Sequence, residues 1–444
     1  MNNANPWQFV HGPNLGYLIE QYALYLANPE QVDESLRALF AYWGEPFVEE
    51  QGQVTGGTEQ AVSPSVIINK LNKLAKTLQY VQNIRKYGHL QAEINPLEKQ
   101  TENELLSLNY YGLSEADLLP VEVVVPELAG KFTDSLAAIQ YLKQVYTSTI
   151  GYEVEHVPLE EQQWLHEKIE NEYGQKQLSN SRKEELLKEL YAAEGFEQFV
   201  HRMYVGQKRF SVEGLESLVP AINELVNQSA EQDVESVVIG MAHRGRLNVL
   251  AHVLGKPYEA LLSEFQGTKW EINDPDYHET NGHTLDVKYH LGATRNRNVN
   301  GKSVRVSLAN NPSHLEFVNA VVEGVARATQ DDRTNSGAPV QDVNKALPVV
   351  VHGDSAFSGQ GIVYEVLNFS QTEAYHTGGT VHIIANNNIG FTTESDETRS
   401  TRYSSDSAKG YEVPIFHVNA DDPEAVLKVM QLAFEYRQTF HKVV

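Results

Sequence analysis

Pro348-Val349-Val350-Val351-His352-Gly353-Asp354-Ser355 is one of two stretches that decide the reading of this chain. The other is Thr380-Val381-His382-Ile383-Ile384-Ala385-Asn386-Asn387-Asn388-Ile389-Gly390, which sets Asn387 33 residues beyond Asp354. In each, a β-branched run of strand type stops on small, oxygen-bearing residues. Asp354 offers a carboxylate, Asn387 an amide oxygen and Ile389 a backbone carbonyl. Three hard oxygen donors suit Mg²⁺, which takes octahedral oxygen ligands and completes its shell with water and phosphate oxygens. The spacing fits one crossover: a loop, a helix across 360–375 and the next parallel strand. That crossover sets Asp354 and Asn387 side by side at the carboxyl edge of a sheet, where open α/β sheets bind ligands. Such a site suits Mg²⁺ and a diphosphate. Either half alone reads equally as an ordinary turn after a strand; the pair at this spacing carries the argument.

Outward from these strands the text alternates. Strand-like runs fall at 236–241, 304–308, 347–351, 380–385 and 415–418, with helical text at 245–254, 315–330, 360–375 and 423–440. This predicts an α/β fold, a parallel sheet with helices on both faces. Asp422 reads as the cap of the last helix with Pro423 at its first position, and Ser313 as the cap of a helix over 314–330. The segment 268–300 is long, polar and rich in turn residues, and reads as a loop. Before the sheet, 64–217 is mainly helical; Ile67, Ile68, Leu71, Leu74, Leu78 and Ile84 make one apolar face, and further amphipathic segments fall near 133–149, 159–172 and 182–200. Residues 48–63 are polar and glycine-containing, a linker. Residues 1–47 read as a helical arm: Leu15, Leu18, Ile19, Tyr22, Leu24 and Tyr25 recur at helical spacing, and a second helix runs from Val32 to Trp43. The expected organisation is thus 1–47, 48–63, 64–217 and 218–444.

Composition narrows the classes. At 41% hydrophobic and 21% charged, the chain is ordinary globular protein. It has no apolar run of about 18 residues, so no membrane span is expected. The first basic residue is Arg37 and no signal-type apolar stretch precedes it, which speaks against a secretory or transit segment and for the cytoplasm. The absence of cysteine removes disulfides, thiolate metal sites and cysteine nucleophiles. A net charge of −24 opposes non-specific nucleic-acid binding, so an anionic substrate would need a locally basic site.

The Gly353-Asp354 and Asn386-Asn387 pair resembles the thiamin diphosphate signature. Longer motifs sharpen the likeness: Gly240-Met241-Ala242-His243-Arg244-Gly245-Arg246, Asp286-Val287-Lys288-Tyr289-His290, Asn311-Pro312-Ser313-His314-Leu315-Glu316, Asn387-Asn388-Ile389-Gly390-Phe391-Thr392-Thr393 and Phe416-His417-Val418-Asn419. Together with Ala193-Glu194-Gly195-Phe196-Glu197 and Lys208-Arg209-Phe210-Ser211, they resemble the decarboxylating first component of the 2-oxoglutarate dehydrogenase complex over nearly the whole chain. Leu285 departs from the family, where glycine often stands.

The resemblance implies a thiamin diphosphate-binding fold carrying thiamin diphosphate and Mg²⁺. Asp354, Asn387 and the Ile389 carbonyl would hold the metal, and the amides of Ser355 and Ala356 would meet the diphosphate. Arg244, Ser313 and Leu315 would line the cofactor cleft, with Leu315 the bulky residue that bends the cofactor. His243, Arg244 and His290 would bind the dianion 2-oxoglutarate, His243 and His290 also acting in catalysis; guanidinium matches a carboxylate bidentately, and histidine changes charge near neutral pH. Implied partners are a second copy, as homodimer, and the dihydrolipoyl succinyltransferase component, whose lipoyl group takes the four-carbon unit; the 1–47 arm resembles the segment that docks there. The family's further domains would follow Val444, one of them supplying across the dimer a glutamate for cofactor deprotonation. The chain is therefore expected to be an N-terminal fragment with negligible turnover alone.

Other readings stay open. One methylene separates 2-oxoglutarate from 2-oxoadipate, a difference worth only ~1–3 kcal/mol in a pocket. A non-oxidative decarboxylase and a catalytically silent assembly module fit the same residues. Gly301-Lys302-Ser303 lacks the leading glycine of a P-loop, Asn296 standing there. His278-Glu279-Thr280-Asn281-Gly282-His283 has one residue too many for a zinc-protease helix and reads as solvated loop. His314, His352 and His382 are weaker candidates.

Overall fold

Six strands form the central sheet of a computed structural model that describes residues 13–32, 36, 37, 40, 64–279, 288–311 and 313–444. They are β1 (Ser236–Met241), β2 (Tyr277–Glu279), β3 (Ala293–Val299), β4 (Lys302–Leu308), β5 (Ala346–Gly353) and β6 (Val381–Ala385), in the spatial order β2-β3-β4-β1-β5-β6. β1 runs parallel to both β4 and β5, and β5 parallel to β6. All six residues of β1 and seven of the eight of β5 are buried, which is why both read as unbroken apolar runs, as strands covered on two faces do.

Four helices frame this sheet: α1 (Leu218–Glu231), α2 (Phe317–Gln330), α3 (Gly361–Phe369) and α4 (Pro423–Phe440). α2 packs on β1 and β5 through Val318, Val322, Val238 and Val350. The approach is close: a Cβ at Gly240 would lie 2.7 Å from a Val322 methyl, so glycine is what lets helix and strand meet. α1 packs against α4 and against β4, β3 and β1. α4 begins as expected: Asp422 accepts from the Ala425 amide at 3.0 Å and Pro423 follows it.

Four expectations change. The crossover helix is shorter, Gly361–Phe369, and turns carry the chain on to β6. Residues 415–418 form a strand, β7 (Ile415–Val418), outside the main sheet; it pairs antiparallel with Ile150–Glu153. The segment 268–300 contains β2 and β3, which pair antiparallel at the sheet's edge. β2 is the edge strand and β3 beside it is mostly half-exposed, so both carry polar residues and read as loop. Finally, α2 starts at Phe317 rather than 314, so Ser313 is not its cap. Within the sequence motifs, Pro312 and residues 280–287 lie outside the described residues, as does the 48–63 linker.

The chain divides into two compact units. One takes in the residues up to Asn83 together with Glu104–Ile139; the other takes in Ile84–Asn103 together with Gln140–Val444. In the first, the helix Pro13–Ala27 lays Leu18, Tyr22, Leu24 and Tyr25 against buried Val32 and Phe40. Of the second helix expected over 32–43, residues 32, 36, 37 and 40 are described; 36, 37 and 40 are helical, and Val32 is a bend rather than its start. The sheet and all the candidate site residues belong to the second unit. Among the described residues no helix is long and apolar enough to cross a membrane.

Candidate functional site

The parallel pairing of β5 with β6 ends at Gly353↔Ala385. Asp354 and Asn387 therefore leave the sheet within two residues of the same rung, and paired strands lie about 4.8 Å apart. Gly390 closes the arrangement. A Cβ there would sit 2.2 Å from the Ser355 hydroxyl oxygen, so the turn carrying Asn387 and Ile389 lies directly on the residue after Asp354. Asp354 starts the short helix Asp354–Gly359, with Ser355 and Ala356 in its first turn. Its carboxyl is buried and accepts from Arg399 Nη1 at 3.2 Å. Burial pushes its pKa up and outweighs the pull of Arg399. Ser355 Oγ is buried with no partner among the described residues. Asn387 Oδ1 accepts from the Ile389 amide at 3.3 Å, which closes the turn on itself.

A second group gathers at the carboxyl ends of β1 and β4. Ser313 Oγ lies 3.2 Å from His290 Nε2. The Asn311 amide donates to the His290 carbonyl and its side chain to the Met241 carbonyl, tying this loop to the end of β1. The His243 ring packs against Phe210, centroids 4.0 Å apart, and Phe210 in turn meets Tyr289 edge-on. Burial lowers the His243 pKa, and the charges of Arg244 and His290 push the same way. His243, His290 and Ser313 thus lie in one neighbourhood. Leu315 is 36% exposed.

A chain buried at Glu316 and His352 and half-buried at His382 joins the two groups. His352 Nδ1 lies 2.5 Å from Glu316 Oε2, and His352 Nε2 lies 2.8 Å from His382 Nδ1. The rings of His352 and His382 stack, centroids 5.0 Å apart.

Three residues that build this edge were not singled out from the sequence. Arg399 is one and Glu316 another; Glu316 closes the quoted 311–316 motif, but nothing there gives it a role, and nothing marks Arg399. The third is Arg246, fully buried, whose guanidinium donates to the carbonyls of Met241, Leu291 and Ala309. Burial lowers its pKa to about 10. Arg244, two residues earlier, is exposed and donates to the Ser211 carbonyl. The His-Arg-Gly-Arg text announces two arginines but not which one turns inward. Among the described residues no three His, Asp or Glu side chains cluster as a metal site; the set Asp354, Asn387 and Ile389 contains one carboxylate.

Residues 188–444 match the profile of the dehydrogenase E1 component family. The chain is also similar along its length to curated proteins named 2-oxoglutarate dehydrogenase E1 component. That of Geobacillus kaustophilus is 50% identical over 99% of this chain and 48% of its own length. Those of Bacillus licheniformis and Bacillus pumilus are 48% and 49% identical, over 100% and 98% of this chain and 47% of each relative. The chain spans about half the length of the curated relatives it matches.

Proposed function

Because the chain belongs to the dehydrogenase E1 component family, we propose that it is the diphosphate-binding part of a 2-oxoglutarate dehydrogenase of the tricarboxylic acid cycle. Family membership implies thiamin diphosphate as cofactor. The observation that carries the reading is the β5–β6 rung at Gly353↔Ala385 together with Gly390 seated on Ser355. Asp354 and the Asn387 turn thereby share one edge.

The residues present fit the cofactor. A buried hydroxyl without a partner among the described residues, Ser355 Oγ, adjoins a buried carboxylate, a combination that costs stability unless a ligand uses it. Asp354, Asn387 and the Ile389 carbonyl would hold Mg²⁺, and Ser355 and Ala356 would meet the diphosphate. When bound, thiamin diphosphate supplies the carbanion and the electron sink for carbon dioxide loss. His243, Arg244 and His290 bind and orient the dianionic substrate at the ends of β1 and β4. The His290–Ser313 contact orients the imidazole, and Leu315, partly exposed, would line the cleft. Partners in this reading are a second copy of the chain and the succinyltransferase component, reached through the 1–47 arm.

Titration calorimetry tests it. Thiamin diphosphate with Mg²⁺ should give a saturable heat that Asp354→Ala abolishes; no heat from the wild-type chain refutes the cofactor assignment. Binding of 2-oxoglutarate against 2-oxoadipate to the loaded protein addresses substrate choice. Pull-down of the succinyltransferase core with and without residues 1–47 addresses the arm.

A further inference from the structure

We propose that Glu316, His352 and His382 act as one hydrogen-bonded chain that holds the three cofactor-bearing segments in register, with Glu316 the positioning residue at its head. The proposal rests on the thiamin diphosphate reading of the site and extends it to residues that touch neither metal nor substrate in that reading.

The placement is specific. Glu316 directly follows Leu315 and lies three residues after Ser313. His352 lies two residues before Asp354. His382 sits on β6, five residues before Asn387. Each link of the chain therefore ends on a different segment of the cleft. His352 is 1% and Glu316 6% exposed, so their link forms away from water, where a broken hydrogen bond is costly, while the link to His382 is part-buried. Glu316 holds a left-handed backbone, φ +71°, just before α2 begins. A residue other than glycine, asparagine or aspartate rarely adopts this conformation, and it persists where surroundings over-determine it.

The chain also has a direction. A carboxylate oxygen only accepts, so His352 Nδ1 donates to Glu316. The Nε2 of a neutral His352 ring then accepts, so His382 Nδ1 donates to it. One carboxylate thus sets the tautomer of two imidazoles, as outer carboxylates do for histidines in built sites. Phe357 packs edge-on against His352.

The test uses the 444-residue chain with its histidines labelled with ¹⁵N. Long-range ¹H–¹⁵N spectra should show His352 and His382 each as a single Nδ1–H tautomer. In Glu316→Ala both should average between tautomers, and the calorimetric Kd for thiamin diphosphate with Mg²⁺ should rise at least tenfold. Glu316→Gln keeps an acceptor oxygen and should recover most of the affinity. Should Glu316→Ala fail to fold, His382→Phe breaks only the far link and should weaken binding while leaving His352 as the Nδ1–H tautomer. Unchanged tautomers and unchanged Kd in the variants overturn the proposal. A wild-type chain that gives no heat sinks the cofactor reading instead, and the tautomer spectra still decide whether the chain exists.

Discussion

Arg399 Nη1 stands 3.2 Å from Oδ2 of Asp354, and both side chains are buried, 8% and 2% exposed. The guanidinium thus lies against the carboxylate that would hold the proposed metal. Burial nonetheless holds the Asp354 pKa above the usual carboxylate range, so the fold carries this charge at a cost. A carboxylate kept in such a place suggests that a cation is meant to share it.

Asp354→Asn should therefore stabilise the cation-free protein. The sign follows from linkage: a folded-state pKa raised above the unfolded one makes ionisation unfavourable to folding once pH exceeds the unfolded value. The melting temperature of the variant should exceed wild type at pH 7, and the gain should vanish as pH falls below the carboxylate range. Mg²⁺-dependent binding of thiamin diphosphate should be lost together with the gain. Calorimetric melts across pH, with and without Mg²⁺, check both.

Gly390→Ala should separate the site from the fold. Its Cβ would meet Ser355 Oγ at 2.2 Å and a Thr398 methyl at 2.7 Å, forcing the Asn387 turn away from Asp354. The turn is half-exposed and outside the packed core, so unfolding free energy should change by less than about 1 kcal/mol. Thiamin diphosphate affinity should drop at least tenfold, since a displacement near 1 Å spoils a positioned site. Equal losses in stability and binding would contradict this.

Gly240→Ala should do the reverse. The added methyl meets Val322 and Val318 at 2.7 and 3.3 Å between β1 and α2, inside a packed core. Overpacking of this kind costs roughly 1–3 kcal/mol. Urea unfolding should show that loss.

Acid should destabilise the second unit in two steps. Burial lowers the His89 pKa to about 4, against the opposing pull of Glu153. The unfolded chain takes up that proton near pH 6.5 and the folded chain does not, so stability falls as pH drops from 6.5 toward 4, by up to about 3 kcal/mol. Glu153 lies lower, at about 2: burial raises it, but hydrogen bonds from His417 and Lys409 and the charge of His89 outweigh that. Its contribution is complete above the unfolded carboxylate value and is lost as pH falls from there toward 2. His89→Gln should flatten the slope between pH 6.5 and 4 and leave the lower step. An unaltered slope would show that His89 is not its source.

The strands that carry the candidate site could be read because burial on two faces demands β-branched runs, and because a turn that meets a ligand replaces them with small polar residues. β1 and β5 were legible on the first ground; β6, an edge strand that is mostly half-buried, was legible from its β-branched run and the asparagine turn after it, and the start of α4 from Asp422-Pro423. β3 was not: Ala293–Val299, next to the short edge strand β2, carries Arg295, Asn296, Arg297 and Asn298, which look like loop text. Ile415–Val418 was legible as a strand but not as a strand of a separate pair, since its partner Ile150–Glu153 lies more than 260 residues away in sequence.

Sequence alone determined the donor types, their spacing and the sheet edge they would reach, because these depend on local period and on the length of one crossover. It did not decide which arginine of Arg244 and Arg246 turns inward, that Arg399 meets Asp354, or that Glu316 closes on His352. The contacts of Glu316 with His352, Arg399 with Asp354 and Arg246 with Ala309 join residues 36, 45 and 63 positions apart. No local pattern encodes them; they arise only when buried polar groups, cut off from water, must find their partners in one another.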